Sequence, residues 1–569
     1  MAVPTPPSGK EGLNKISRWF VLHPYWVLTL AVLATLTPFL AKPFNLDDPL
    51  FIWTARQIHV QPCDPYGFDV NWYDAAEPMW AVMENPPLAS YYLALAAGIF
   101  GWSEIVLHFA FLLPAVAAIL GTYRLARHFC DQPMLAAVAA LFTPVFLVSA
   151  TTVMCDVLML AFWVWAVVWW LEGMERDDLW RLGGAGLLIA LAELTKYFGA
   201  CLIPLLAAYG VIEKRRLRLG RWIACLLIPL AALCAYQWFT LALYKQVLMF
   251  EAISYAGYAK SLLGVSGIAS ALTALTFTGG CLAVVVFFAP FLWRARILAG
   301  FAGGTILTVV ALSRGGILLQ HYNRLQNSGW APVNVQITLW AVGGVSVLAL
   351  AVADVLDRRD ARSWLLASWV LGTFLFTAFF NWTVNARSIL PVAPAVGILL
   401  VRRLEQKGLT GRKTWSRNAA ICLAAGAALA LLVTQSDFLL AVAVRQSAQQ
   451  VCVKYGTKGG TLWYQGHWGF QYYMEALGAS PIDIRRSRLK AGEKIALPQN
   501  NTTFFQPSPS AVSVVETMAI PGPHRLTTWS RGAGAGFYAA TWGPLPFAFN
   551  HVPPENVVMY DCLPPPLKK

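Results

Sequence analysis

Residues 25–41, YWVLTLAVLATLTPFLA, run for 17 positions without a charge, and the chain then turns polar at once in Lys42-Pro43-Phe44-Asn45-Leu46-Asp47-Asp48. As a helix such a run nearly crosses a bilayer core of about 30 Å. Lys10, Lys15 and Arg18 precede it in the manner of a signal peptide, but no convincing small-residue cleavage site follows, so it reads as a retained first span. The same texture recurs near residues 104–127, 133–151, 154–172, 182–195, 198–212, 221–244, 268–292, 297–313, 331–353, 364–383, 388–402 and 418–441, with the first near 22–41. The expectation is a polytopic α-helical membrane protein of about 13 transmembrane helices.

Composition agrees. Hydrophobic residues make up 57% of the 569 positions and charged residues 13%, against about 45–50% and 25% in soluble domains. A single soluble core, a collagen-like chain and a disordered chain are thereby excluded. The net charge of +14 does not by itself mean nucleic-acid binding, because the cations sit mainly between apolar runs. With a cytoplasmic N-terminus, the loops on the inside carry 23 Lys and Arg and the external ones 8, the asymmetry that sets orientation. The ten cysteines include no CxxC pair, which removes zinc-ribbon and thioredoxin readings. No Walker A loop, HExxH or GxSxG occurs, which weakens nucleotide, protease and lipase readings.

Two segments interrupt the pattern. Residues 42–103 form an outer loop with seven acids (Asp47, Asp48, Asp64, Asp69, Asp74, Glu77 and Glu84) against Lys42 and Arg56. Within it, Asp48 to Val60 and Leu88 to Phe100 read as interfacial helices. Residues 444–569 read as a small mixed α/β extracytoplasmic domain following a membrane domain of residues 1–443, with β-prone stretches at Thr461 to Tyr464 and Ala511 to Val515. In an oxidising compartment a disulfide between Cys452 and Cys562 would tie its ends.

Candidate chemistry gathers on the outer face. Asp47 and Asp48 follow the first span directly, where ionisable groups are functional candidates; Asp48 before Pro49 also suits a helix N-cap. Glu84-Asn85-Pro86-Pro87-Leu88 holds Glu84 in a stiff turn, where its carboxylate can bind a metal or orient a hydroxyl, or simply be solvated. Asp156 and Lys196 sit at matching external turns, and Arg387 and His321-Tyr322-Asn323-Arg324 complete a polar rim. Singly, each could snorkel to the interface; together they suit a lipid-borne phosphate, which Lys and Arg pair well. His59, His467, His524 and His551 are isolated and read as surface or capping residues, and the triplets at Asn381, Asn500 and Asn501 are weak glycosylation signals.

In order along the chain, Leu46-Asp47-Asp48 with Ala55-Arg56, Glu84-Asn85-Pro86-Pro87-Leu88, Asp156, Leu194-Thr195-Lys196 and Arg387-Ser388-Ile389-Leu390-Pro391 resemble the motifs of the polytopic GT-C glycosyltransferases. The likeness is to the bacterial protein O-mannosyltransferase-like branch that includes the aminoarabinose lipid A transferases. That resemblance implies a polyprenyl-phosphate sugar donor, inverting transfer to a hydroxyl acceptor (lipid A, protein or envelope glycan) and a bacterial inner-membrane enzyme. It matches Asp47 to the family's essential aspartate, with Asp48 and Glu84 as further catalytic candidates. Arg56, Lys196, Arg324 and Arg387 would bind the donor phosphate, and Asp156 and Asn85 would shape the acceptor side. Asp48 replaces a frequent Glu, and Asn85 a Lys of some lipid A transferases, which weakens an aminoarabinose assignment. The resemblance fixes no cofactor; a divalent metal, with Glu84 as a ligand, stays open because the loop of residues 245–267 offers Glu251 and no histidine. The competing class is a lipid or glycan flippase, which would place charges at mid-membrane on paired broken helices. An oligosaccharyltransferase is weakened by the lack of a WWD-like triplet in the tail.

Overall fold

The computed structural model describes residues 23–213, 219–264, 266–316, 330–410, 415–456, 460–502 and 505–564. Its bundle is built from α1 (Pro24–Leu36), then α2 (Asp48–Val60) and α3 (Leu88–Phe100) in the first loop, α4 (Glu104–Ala126), α5 (Pro133–Leu141), α6 (Pro144–Ala150), α7 (Asp156–Arg176), α8 (Leu179–Thr195), α9 (Leu202–Glu213) and α10 (Leu219–Tyr244). There follow α11 (Leu248–Leu263), α12 (Gly267–Cys281), α13 (Val284–Leu292), α14 (Ala295–Arg314), α15 (Trp330–Arg358), α16 (Ala361–Leu375), α17 (Ala393–Gln406) and α18 (Trp415–Tyr455). The polytopic helical architecture expected from hydropathy is therefore present.

Each of the thirteen expected spans is helical, yet the helices differ in reach. Among the described residues seven are long and apolar enough to cross a membrane, or nine if each of two bent pairs is one span. The stretches at 22–41 and 198–212 form shorter apolar helices, and 133–151 is broken into α5 and α6 with a 62° bend. The cause of that break is local: Thr143 caps α6 by accepting a hydrogen bond from the Phe146 amide, and Pro144 cannot continue the ladder of α5. A hydropathy window sees only the apolar average, so it joins what a proline divides.

The first loop folds as its sequence suggests. The two helices begin at Asp48, with Pro49 in the first turn, and at Leu88, behind Pro86-Pro87, and pack on each other; a short hairpin, β1 (Asp69–Asn71) and β2 (Ala76–Pro78), lies between them. The tail departs more from expectation. Helix α18 runs unbroken through 443 and 444 to Tyr455. Beyond it, β3 (Leu462–Tyr464), α19 (Trp468–Ala476), β4 (Ser480–Pro481), β5 (Lys494–Pro498), β6 (Val512–Ile520) and β7 (Glu555–Cys562) build one sheet of order β4-β3-β5-β7-β6, parallel at β3 and antiparallel around β7. Residues 526–550 leave this sheet and return to the bundle, where Gln336 of α15 bonds both the amide and the carbonyl of Phe549 (2.8 and 3.0 Å).

The disulfide expectation is corrected: Cys452 and Cys562 are both free. Cys452 lies on α18 and its thiol points at Met474 Sδ (3.6 Å), whereas Cys562 packs with Ile482, Ile495 and Val512 in a separate small core. The two thiols belong to different apolar clusters, so no rotamer change joins them.

Helices α12 and α15 cross at Gly279 and Gly344. A Cβ on Gly279 would overlap the Trp340 carbonyl, and one on Gly344 would overlap that of Leu275. Small residues let backbones approach where no hydrophobic force separates helix from lipid. Gly344→Leu is expected to destabilise the bundle by about 1–3 kcal/mol or more through overpacking, read as a lower thermal midpoint in detergent. Gly303→Leu, where a Cβ meets nothing within 4 Å, is expected to leave it unchanged.

Candidate active site

Asp47 owes its place to a strained turn. Leu46 adopts φ +50°, and Asp48 closes the turn by accepting hydrogen bonds from the Asn45 amide at Oδ2 and the Val153 amide at Oδ1, each 3.0 Å. Asp48 is thus buried in the wall and stitches the first loop to the α6–α7 connection. Burial pushes its carboxyl up to about 7, while Lys42 and the two amides pull it back. It caps none of the α2 amides and does not line the cavity.

Asp47, one residue earlier, faces a cavity of about 950 Å³ between the outer loops and the C-terminal segment. Its Oδ2 pairs with Arg387 Nη2 at 2.8 Å. Arg387 rides on a 3-10 turn, Ala386–Ser388, capped by the Asn385 side chain on the Ser388 amide (2.8 Å). Its Nη1 reaches Met154 Sδ (3.0 Å), its guanidinium lies over the Tyr538 ring (5.7 Å), and its buried Nε has no hydrogen-bond partner.

Lys196 lines the same cavity from the extended residue that ends α8, and its Nζ pairs with Asp156 Oδ1 at 2.7 Å. Asp156, 1% exposed at the start of α7, stands behind Lys196 instead of in the cavity. Glu84 and Asn85 complete the charged wall; the Asn85 carbonyl accepts from Tyr66 Oη at 2.6 Å, which fixes the turn before Pro86. Burial raises Glu84 to about 8, helped by the negative charge of Asp47 and opposed by Arg387 and Lys196. At neutral pH Glu84 is therefore mostly a neutral acid beside an ionic pair.

Of the expected site residues, the structure brings Asp47, Glu84, Asn85, Lys196 and Arg387 together. Arg56 is not brought to the cavity: it is exposed on α2, where it bonds Tyr472 Oη (3.0 Å) and lies over the Trp102 and Tyr472 rings. Arg324, with His321, lies outside the described residues. His467 is corrected, being buried in the cavity wall against Trp72, where burial lowers it to about 4. Asn501, offered as a glycosylation acceptor, is buried and clamps the His467 backbone, its Oδ1 on the amide (2.8 Å) and its Nδ2 on the carbonyl (3.1 Å).

The opposite wall was not legible in advance. Trp468 holds φ +64°, a conformation that bulky residues avoid. It meets Trp529 and Trp542 edge-on, and these stack at 4.4 Å with Arg531 lying 4.1 Å from the Trp542 ring. Nothing in the sequence marks them: the tail holds four tryptophans, Trp463, Trp468, Trp529 and Trp542, no denser than in the rest of the chain. For a metal, the donor set is poor: Asp47 is already neutralised by Arg387, and no group of three His, Cys, Asp or Glu converges among the described residues.

Because Glu84 is raised above its ordinary 4.5, its burial costs stability as pH climbs from the unfolded value toward about 8, where the folded carboxyl also ionises. Glu84→Gln is expected to raise the thermal midpoint by a few degrees above that pH and to change it little near pH 4. A shift that is the same at all pH values would contradict the raised carboxyl.

Residues 84–240 match the profile of the dolichyl-phosphate-mannose-protein mannosyltransferase family. No curated protein sequence matches the chain significantly. Among solved structures, ArnT from Cupriavidus metallidurans, bound to undecaprenyl phosphate, is 13% identical with TM-score 0.50 over 96% of this chain and 98% of its own. The archaeal oligosaccharyltransferase AglB from Archaeoglobus fulgidus, in complex with an inhibitory peptide and a dolichol-phosphate, is 14% identical with TM-score 0.48 and is matched over 82% of this chain; this chain spans 65% of its length. The chain thus shares the fold of ArnT over nearly its whole length, and residues 84–240 are similar to the dolichyl-phosphate-mannose-protein mannosyltransferase family.

Proposed function

We propose that this membrane protein is a glycosyltransferase that moves a sugar from a polyprenyl-phosphate donor to a hydroxyl of a lipid A, protein or envelope-glycan acceptor, with inversion. In this reading the site faces the extracytoplasmic side of a bacterial inner membrane, with the N-terminus cytoplasmic and the C-terminal segment outside. The observation that carries it is the convergence of Asp47, Glu84, Lys196 and Arg387 on one cavity that also opens along apolar side chains. Ile253 and Phe380 line that cavity and are 60% and 72% exposed, a greasy approach that suits a prenyl chain entering from lipid. The match to a dolichyl-phosphate-mannose family over residues 84–240 and the fold shared with an undecaprenyl-phosphate-bound protein support the same donor class.

The chemistry follows from the pairs. Lys196 and Arg387 each hold an internal acid, Asp156 and Asp47. A donor phosphate competes for both cations, and the unpaired Nε of Arg387 supplies a further N–H. As Arg387 turns to the phosphate, Asp47 is released from its ion pair and its carboxylate is free to accept a hydrogen bond from the acceptor hydroxyl. The acceptor oxygen then attacks the anomeric carbon while its proton passes to Asp47. The carbon–oxygen bond to phosphate breaks with its electron pair, and the charge left on the polyprenyl phosphate is held by Lys196 and Arg387. Attack from the face opposite the leaving group inverts the centre. Glu84, neutral at pH 7, can donate a hydrogen bond without adding charge.

Asp47→Asn is expected to lower turnover by about 10²–10⁴-fold with little change in folding, and Lys196→Ala or Arg387→Ala to weaken use of the donor. Purified protein in nanodiscs, given radiolabelled polyprenyl-phosphate sugar or nucleotide sugar separately, reads all three. Full activity of the Asp47 variant would remove it as the base. Turnover on a nucleotide sugar in lipid free of polyprenyl phosphate would overturn the donor.

A further inference from the structure

Five residues form a closed circuit around the site. Lys42 Nζ pairs with Asp437 Oδ2 at 2.5 Å, and the two are 1% and 2% exposed. Tyr538 Oη donates to the same Oδ2 at 3.0 Å, and Thr528 Oγ1 donates to Oδ1 at 2.5 Å. The Tyr538 ring lies beneath the Arg387 guanidinium, which pairs with Asp47, five residues along the chain from Lys42. The backbone follows the same route: the Ala386 amide donates to the Phe537 carbonyl and the Ala540 amide to the Val384 carbonyl, both 2.8 Å. The C-terminal segment therefore brackets the turn that carries Arg387 on both sides.

Building on the reading of Asp47 and Arg387 as reacting groups, we propose that Asp437 and Tyr538 are positioning residues that hold Arg387 at the cavity through the buried Lys42 pair. Asp437 does not line the cavity and touches no reacting atom. Its two oxygens instead fix two points of the C-terminal segment, Thr528 and Tyr538, and Lys42 cancels its charge. The Tyr538 ring then offers its negative face to a guanidinium that must exchange Asp47 for phosphate without leaving the wall. Stacking restrains the plane of Arg387 while leaving its N–H edges available, something an ion pair alone does not do.

The test is Tyr538→Phe, which removes only the tether to Asp437 and leaves the Lys42 and Thr528 contacts in place. Turnover is expected to fall about tenfold, in kcat more than in donor KM, with the thermal midpoint nearly unchanged. Arg387→Lys abolishes the stacked fork, so in that background Tyr538→Phe is expected to change kcat less than twofold; such non-additivity is what coupling means. Hydrogen exchange at residues 384–388 is expected to quicken in Tyr538→Phe. Additive effects in the double variant, or unchanged exchange there, would overturn the proposal. Failure of the unmodified protein to use a polyprenyl-phosphate sugar would instead sink the donor reading, because the exchange measurement needs no donor.

Discussion

The ion pair between Lys42 and Asp437 joins positions 395 residues apart in the chain, in a place with almost no access to solvent. Neither charge could be held there without the other, because an unpaired ion in such surroundings costs several kcal/mol. The pair therefore fixes where the first loop begins, immediately after the first apolar helix, relative to the middle of α18. The remaining acceptor capacity of Asp437 fixes Thr528 and Tyr538 as well. From this knot the outer loop, the last long helix and the tail acquire a common geometry, and the cavity lies between them.

The cavity divides its labour between two walls. One is ionic and comes from the loops of the bundle, where Lys196 pairs with Asp156 and Arg387 with Asp47. The other is aromatic and comes from the tail, with Trp468 in a strained conformation and Trp529 stacked on Trp542. Strain of this kind persists only where the surroundings over-determine it. Here Asn501 holds the His467 backbone from both sides, and Gly469 allows the chain to pass against the Phe44 carbonyl, where a side chain would collide. Sequence identity of 13% with ArnT from Cupriavidus metallidurans, at nearly full coverage, accords with a fold specified by where apolar runs begin and end. Many side chains satisfy that requirement equally.

Asp48 and Arg56 show how residues close in the sequence to the cavity lining are placed outside it. Asp47 and Asp48 are indistinguishable as letters, but a strained turn at Leu46 sends one carboxylate into the cavity and the other into backbone amides. Arg56 lies about two turns further along α2, yet its stem carries it onto Tyr472 and Trp102, outside the cavity lining. Which face of a short helix is turned inward depends on what packs against it, and in α2 those partners include residues 400 positions downstream.

What the amino-acid sequence by itself determined was everything governed by local periodicity and composition: the apolar helices, the start of α2 at Asp48-Pro49 and of α3 behind Pro86-Pro87, and the positions of Asp47, Glu84, Lys196 and Arg387 beside the ends of helices. Hydropathy and proline act over a few residues, so a linear reading captures them. The tertiary structure alone decided the free state of Cys452 and Cys562, the burial of His467 and the return of residues 526–550 to the bundle. It alone also brought Tyr538 beneath Arg387. These are contacts between segments hundreds of residues apart, set by shape and by the need to pair buried charge, and no spacing along the chain encodes them.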